Sequence, residues 1–363
     1  MRIAVLGVGL IGGSIGLAAR QRAHANVSGW DADPRVGERA LRLGAIDERA
    51  DSSADAVAGA DVVFVAAPVG ALADAVGRAL QEAGDDCVVT DVGSTKRVVA
   101  GAAADPRFVG GHPLAGAESA GVEHARADLF DGATWYLTPS QGTTAGVLYE
   151  RLHRLLVTLG AKPVATDPDT HDRTMACVSH LPHVLANLLA GQATALLAGD
   201  RDGNGDAVQL PAVGPSFRDA TRVAGANSAI WTDIYLANRD ALLAGIDDHA
   251  ARLAAVRELL AAGDRDAITA WNDAARVDRD ALLGAGVGGG AVHELRASVP
   301  NRPGVIAEIA LALGRAGVNI DDMALSPSAD NRQGEVALWI GGEQEAARAR
   351  ELIAGLGFPV VAA

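Results

Sequence analysis

Hydrophobic and polar positions divide the chain into three regions of different period. Met1 to Leu6 is nearly all apolar, as in a strand buried on both faces of a parallel sheet. A glycine-rich turn follows, then a helical pattern over Gly13 to Arg22 and a strand over Val27 to Trp30 ending at Asp31. Further strands near Asp61 to Ala66, Cys87 to Thr90, Phe108 to Gly110 and Trp135 to Thr138 continue the βα alternation, which predicts an α/β doubly wound domain over residues 1–168.

Over 169–284 the strand period stops and helical spacing takes over. Leu181 to Ala198 reads as a helix that Pro182 starts or kinks. Asn227 is placed to N-cap a helix holding Trp231 and Tyr235, and Ile246 to Leu260 and Arg265 to Leu283 supply two more. So many apolar positions on a few helices predict a helix-on-helix interface and a homodimer. Gly284 to Gly290 is a linker by composition. Beyond it, over 291–363, come a strand (Val292 to Val299), a helix opened by Pro303, a strand from Val318 and a turn around Asp330 to Gly334. A strand (Glu335 to Ile340), a helix (Glu343 to Leu356) and a strand (Phe358 to Val361) complete the ferredoxin-like βαββαβ order. Such a small domain is expected to pair its apolar faces with a second copy, as an oligomerisation module or a ligand sensor.

The bulk numbers narrow the classes. A net charge of −14 excludes a basic field for nucleic acid. Cys87 and Cys177, far apart and unlike in context, build neither a disulfide framework nor a cysteine zinc site, which places the protein in a reducing cytoplasm. Arg2 followed by the apolar run to Ala19 imitates a signal peptide, but glycines at 7, 9, 12, 13 and 16 interrupt it. Leu181 to Ala198 contains His183, Asn187 and Gln192, too polar for a membrane span.

The first glycines form Gly7-Val8-Gly9-Leu10-Ile11-Gly12 between strand and helix, and an acid, Asp31, stands at the next strand end 19 residues after Gly12. In that context Gly7 makes the tight turn, Gly9 lets the backbone approach a pyrophosphate and Gly12 lets helix and strand pack closely, so the motif predicts a Rossmann dinucleotide site. Asp31 would accept the adenosine ribose hydroxyls and repel a 2′-phosphate, favouring NAD over NADP, although Arg35 could tolerate the phosphate. Ala67 and Pro68, following a strand, form a wall of the same cleft.

Two later loops follow strands at that sheet edge. Asp91-Val92-Gly93-Ser94-Thr95-Lys96 holds one of only two lysines in the chain, which points to use of its compact ammonium. Ser94 either caps the next helix or faces the cofactor. Gly110-Gly111-His112-Pro113 is expected to present His112 rather than pack it away, and by topology it converges with Ser94 on the nicotinamide end of a bound cofactor. In the helical region His180, His183 and Asn187 share a face, open to a metal, a core role or a substrate pocket, with no third ligand at zinc spacing. Arg218 and Arg222 are either surface charges or a clamp for a substrate carboxylate.

Taken in order, these segments, with Gly111-His112-Pro113-Leu114-Ala115-Gly116, Ser179-His180-Leu181-Pro182-His183 and Phe217-Arg218-Asp219-Ala220-Thr221-Arg222 before Trp231, resemble the prephenate/arogenate dehydrogenase family of tyrosine biosynthesis. Val299-Pro300-Asn301-Arg302-Pro303-Gly304 and Gly317-Val318-Asn319-Ile320 resemble an ACT regulatory domain. The resemblance implies three parts: a Rossmann NAD domain, an all-α substrate and dimerisation domain, and an ACT-like α+β domain. It further implies oxidative decarboxylation of prephenate to 4-hydroxyphenylpyruvate with NAD⁺ and no metal. His112 would be the residue bonded to the substrate hydroxyl, Ser94 its orienting partner, Arg222 the carboxylate ligand, and His183, Glu118 and Trp231 pocket residues. Feedback by tyrosine would act around Gly304 and Asn319.

Three readings compete with this one. Arogenate carries an amine that Glu118 could attract. A β-hydroxyacid or imine reductase would use Lys96 as its acid, leaving His112 and Arg222 unexplained. A non-enzymatic NAD and amino-acid sensor would have no need of an acid/base histidine.

Overall fold

The computed structural model describes residues 1–116, 120–139, 146–197, 213–284, 292–327 and 333–362. They fall into two compact units, Met1–His171 with Thr269–Ala363, and Asp172–Ile268.

In the first unit the chain runs β1 (Arg2–Leu6), α1 (Leu10–Arg22), β2 (Asn26–Trp30), α2 (Pro34–Arg42), β3 (Glu48–Arg49), α3 (Ser53–Val57), β4 (Val62–Val65), α4 (Val69–Glu82), β5 (Val88–Asp91), α5 (Arg97–Ala102) and β6 (Phe108–Pro113). It continues through β7 (Thr134–Pro139), α6 (Gly146–Thr158), β8 (Lys162–Ala165) and α7 (Pro168–Met175), which crosses into the second unit. The eight strands form one sheet in the order β3-β2-β1-β4-β5-β6-β7-β8. β1, apolar after Arg2, and all-apolar β4 lie in its interior, covered on both faces, which is why their sequences do not alternate.

The sheet is not wholly parallel. β7 runs antiparallel to β6, with His112 opposite Tyr136, and β8 follows β7 in parallel. The expectation of continuous βα units fails here because a loop rather than a crossover helix joins β6 to β7. Helix α1 begins at Leu10, three residues earlier than the pattern suggested.

The second unit holds α8 (Leu181–Leu197), α9 (Pro215–Thr221), α10 (Ser228–Ala237), α11 (Arg239–Ala262) and the start of α12 (Arg265–Gly284). Residues Ala176–His180 form a π-helical turn ahead of α8. Pro182 cannot donate to the preceding turn, and the widened turn just before it fits that lost bond. Asn227 caps α10 as expected, its side chain accepting from the amides of Ala229 (3.0 Å) and Ile230 (3.3 Å).

After the linker, whose residues 285–291 lie outside the described ones, come β9 (Val292–Pro300), α13 (Val305–Arg315), β10 (Asp322–Pro327), β11 (Gln333–Gly341), α14 (Glu343–Gly355) and β12 (Val360–Ala362). The sheet order β10-β11-β9-β12, antiparallel throughout, is the ferredoxin-like arrangement. Strands β11 and β12 and the end of α14 are shifted from the expected bounds by one or two residues, and two further boundaries differ in kind. Pro303 precedes its helix, which starts after Gly304 at φ +83°, and Val318 lies ahead of β10. The turn around Asp330 falls partly outside the described residues.

The small domain's helical side packs on its own chain rather than being reserved for a second copy. A Cβ at Gly314 of α13 would lie 1.7 Å from the Ala165 carbonyl oxygen, so α13 rests backbone to backbone on β8. Arg315 bonds Asp167 at 3.1 and 3.2 Å, and the two domains share one apolar core. Among the α6 residues near the small domain are Gly146, Glu150 and His153.

His153 is 1% exposed, and burial pushes its imidazole down to about 4. The unfolded chain takes up this proton near pH 6.5 and the native protein refuses it until about pH 4, so stability is complete above about 6.5 and falls between these values, by about 3 kcal/mol in all. Urea midpoints measured at pH 7 and 4.5 should fall steeply for the wild type and much less for His153→Leu; equal falls would show that His153 is not the titrating group.

Candidate active site

The nucleotide-binding turn passes a test that separates the needs of fold and ligand. A Cβ at Gly7, where φ is +93°, would meet the Ala66 carbonyl oxygen at 2.4 Å, and one at Gly12 the Gly7 carbonyl oxygen at 1.9 Å. Those glycines are demanded by packing. A Cβ at Gly9 would meet nothing within 4 Å, so its missing side chain serves something outside the fold. Gly9 also opens α1, giving no side-chain cap to the amides around Leu10 and Ile11, a ready anion site.

At the end of β2 the Asp31 carboxylate is pinned by the amides of Val8 and Asp33, each at 3.0 Å. Arg35 is held by Asp33, Nε to Oδ1 at 3.0 Å and Nη2 to Oδ2 at 2.8 Å, and the same contacts hold the Asp33 carboxyl below its ordinary range. Pro68 stands at the start of α4 beside Ala67, just past β4. These residues fit a dinucleotide with a bare adenosine ribose.

Along the same edge, β5 ends at Asp91 and β6 carries His112. Asp91 accepts from the Gly93 amide (2.8 Å) and the Gly111 amide (3.0 Å) and pairs with Lys96, whose ammonium also donates to the Gly111 carbonyl at 2.6 Å. Both charges are buried. Lys96 is therefore a clamp on the backbone before the histidine, a use of the compact ammonium to which its rarity pointed. Ser94 is not the helix cap: α5 begins after Lys96, with no side-chain cap.

His112 is also not presented on an open loop. It lies within β6, 9% exposed, and its Nδ1 is 2.9 Å from His171 Nε2. His171, on α7, stands edge-on to Tyr136, whose hydroxyl burial pushes up. Sequence reasoning passed over His171, although a histidine one turn into a Pro-opened helix after an edge strand was the available signal. Glu118 lies outside the described residues.

Within the second unit His183 stacks on Trp231 (ring centroids 3.3 Å apart, 26° between planes) and His180 meets the same indole edge-on at 6.0 Å. His183 Nδ1 donates to the Ser179 carbonyl at 3.2 Å, which leaves Nε2 as an acceptor. Burial, with the Arg222 charge as a lesser cause, holds its pKa below the ordinary value. His180 Nδ1 is 3.1 Å from the Asn238 amide. Arg222 opens the short turn Arg222–Gly225. In the small domain Gly304 has a positive φ, and Asn319 donates to Asp321 at 2.7 Å while its buried Oδ1 lacks a partner.

Three family models match the chain: the prephenate dehydrogenase nucleotide-binding domain over residues 15–165, the prephenate dehydrogenase dimerization domain over 167–272, and the ACT domain over 293–340. A prephenate dehydrogenase of Bacillus subtilis is 32% identical over 360 residues, covering 97% of this chain and 95% of its own length. Among solved structures, an Aquifex aeolicus prephenate dehydrogenase in complex with hydroxyphenyl propionate and NAD⁺ is 28% identical with a TM-score of 0.69, covering 78% of this chain and 98% of that one. A Synechocystis arogenate dehydrogenase is 26% identical with a TM-score of 0.68, covering 78% of this chain and 100% of that one.

Proposed function

Because the chain belongs to the prephenate dehydrogenase family, we infer that it catalyses the NAD-dependent oxidative decarboxylation of prephenate to 4-hydroxyphenylpyruvate. Bound NAD⁺ supplies the hydride acceptor. As hydride leaves ring carbon 4, His112 takes the hydroxyl proton; loss of the ring carboxylate as CO₂ then aromatises the ring, and the oxygen takes the proton back from His112 to give the phenol. The protein's part is orientation and proton transfer. The observation that carries this reading is the buried His112, held on a clamped strand at the edge where Gly9 leaves room for a dinucleotide.

Ser94 orients His112 and the cofactor. Arg222 holds a substrate carboxylate, and His183 with Trp231 forms a wall for the ring; the Arg222 charge felt at His183 supports an anion there. Tyrosine as effector at Gly304 and Asn319 is supported by the unsatisfied Asn319 Oδ1. A homodimer is supported by α11, which buries Leu242 but exposes Leu243, Leu253 and Leu260. No helix among the described residues is long and apolar enough to cross a membrane, and a cytoplasmic location is part of the same reading.

NADH formation is measured with prephenate and with arogenate, each with NAD⁺ and NADP⁺, with and without tyrosine. Prephenate with NAD⁺ should be the fastest pair. Faster turnover of arogenate reassigns the substrate, and no NADH with either leaves a sensor. Arg222→Ala should raise the KM for prephenate about ten- to a hundredfold, the loss of a charge-assisted hydrogen bond, with NAD⁺ affinity kept; loss of NAD⁺ affinity alone contradicts the assignment.

A further inference from the structure

We propose that His171 is a positioning residue that sets the tautomer of His112. The proposal rests on the reading of His112 as the proton acceptor and adds what makes it one. Two neutral imidazoles whose Nδ1 and Nε2 lie 2.9 Å apart share one hydrogen between those atoms. If His112 Nδ1 carries it, His112 Nε2 is a lone pair able to take the substrate proton. If His171 Nε2 carries it, His112 Nε2 bears a hydrogen and cannot act as a base. The competence of His112 is thus decided at His171.

Geometry holds the two rings against each other. His171 is 1% exposed, fixed on the first turn of α7 and flanked edge-on by Tyr136. Pro168 opens that helix, and Asp167 caps it: Oδ1 accepts from the Thr170 amide at 2.8 Å and Oδ2 from the Thr170 hydroxyl at 2.9 Å. Arg315 of the small domain braces the same carboxylate. On the other side the Asp91–Lys96 pair fixes Gly111, so both rings are set from independent elements. Ionisable groups around the His112 backbone and ring include, among the described residues, His171 from α7, Tyr136 from β7, and Asp91 and Lys96 from the β5 edge. When His112 becomes imidazolium, its Nδ1–H donates to His171 Nε2, which stabilises the charge without itself gaining a proton.

The test compares His171→Gln and His171→Met, side chains of similar length of which only Gln offers a strong acceptor. Met should lower kcat on the order of ten- to a hundredfold. It should shift the acid limb of the kcat profile to lower pH, because the imidazolium loses its acceptor, with KM for prephenate and NAD⁺ affinity little changed. Gln should recover most of the rate and return the limb. Equal rates in Met and wild type overturn the proposal, as does a fall shared equally by Met and Gln with the limb unmoved, which marks a packing role. Nitrogen-15 NMR of the wild-type imidazoles needs no variant: an Nδ1–H tautomer at His112 is expected, and an Nε2–H tautomer overturns the proposal. Unimpaired turnover in His112→Asn would instead remove the underlying reading, a result separable from all of these.

Discussion

Replacing His112 by asparagine lowers turnover by about two to four orders of magnitude, the usual range for loss of a general base, while NAD⁺ affinity measured by fluorescence titration stays within a few-fold. The two quantities part because the cofactor is held by the first strand–turn–helix unit, where Gly9 and Asp31 lie, whereas His112 sits at the far end of β6. Asparagine keeps a polar side chain of similar reach near His171 but has no basic nitrogen. Near-normal turnover would remove His112 from the chemistry and leave the carboxylate ligand and cofactor alignment to carry the rate.

The second large effect is on stability. Lys96→Met leaves the Asp91 carboxylate charged and fully buried with only the Gly93 and Gly111 amides for partners among the contacts described above, and breaking a buried pair from one side costs about 3–5 kcal/mol. Removing both charges in Asp91→Asn/Lys96→Met should recover a large part of that loss, since the desolvation cost of the pair disappears with it. Urea unfolding of the wild type and both variants decides the matter. A single variant no less stable than the double would mean that the pair does not stabilise the strand before the histidine. Turnover of the double variant should still be reduced, because Gly111 loses the ammonium that holds its carbonyl.

What the sequence made legible follows from how local each signal is. The turn at Gly7 to Gly12, the acid at Asp31 and the N-cap at Asn227 are set by neighbours a few residues away, and all are found where the pattern put them. The direction of β7 was hidden because a period of two says that a strand exists and not which way it runs. For a related reason the rarity of Lys96 pointed to its compact ammonium but not to its partners. They are a strand end and a carbonyl fifteen residues on, contacts that only the folded sheet brings together. His171 is 59 residues from His112 and was invisible as a partner, just as Gly314 gave no sign of meeting Ala165.

The seat of the small domain also bears on how the chain is made. Strand β8 is complete at Ala165, yet α13 and β10, which cover it and α6, begin more than a hundred residues later. At ribosomal speeds that interval is on the order of ten seconds, during which the growing chain shows this face to water and to other nascent chains. A wholly oily strip there would invite association. Glu150 and His153 break it up while it waits, and the later burial of that same imidazole should leave the finished protein more sensitive to acid.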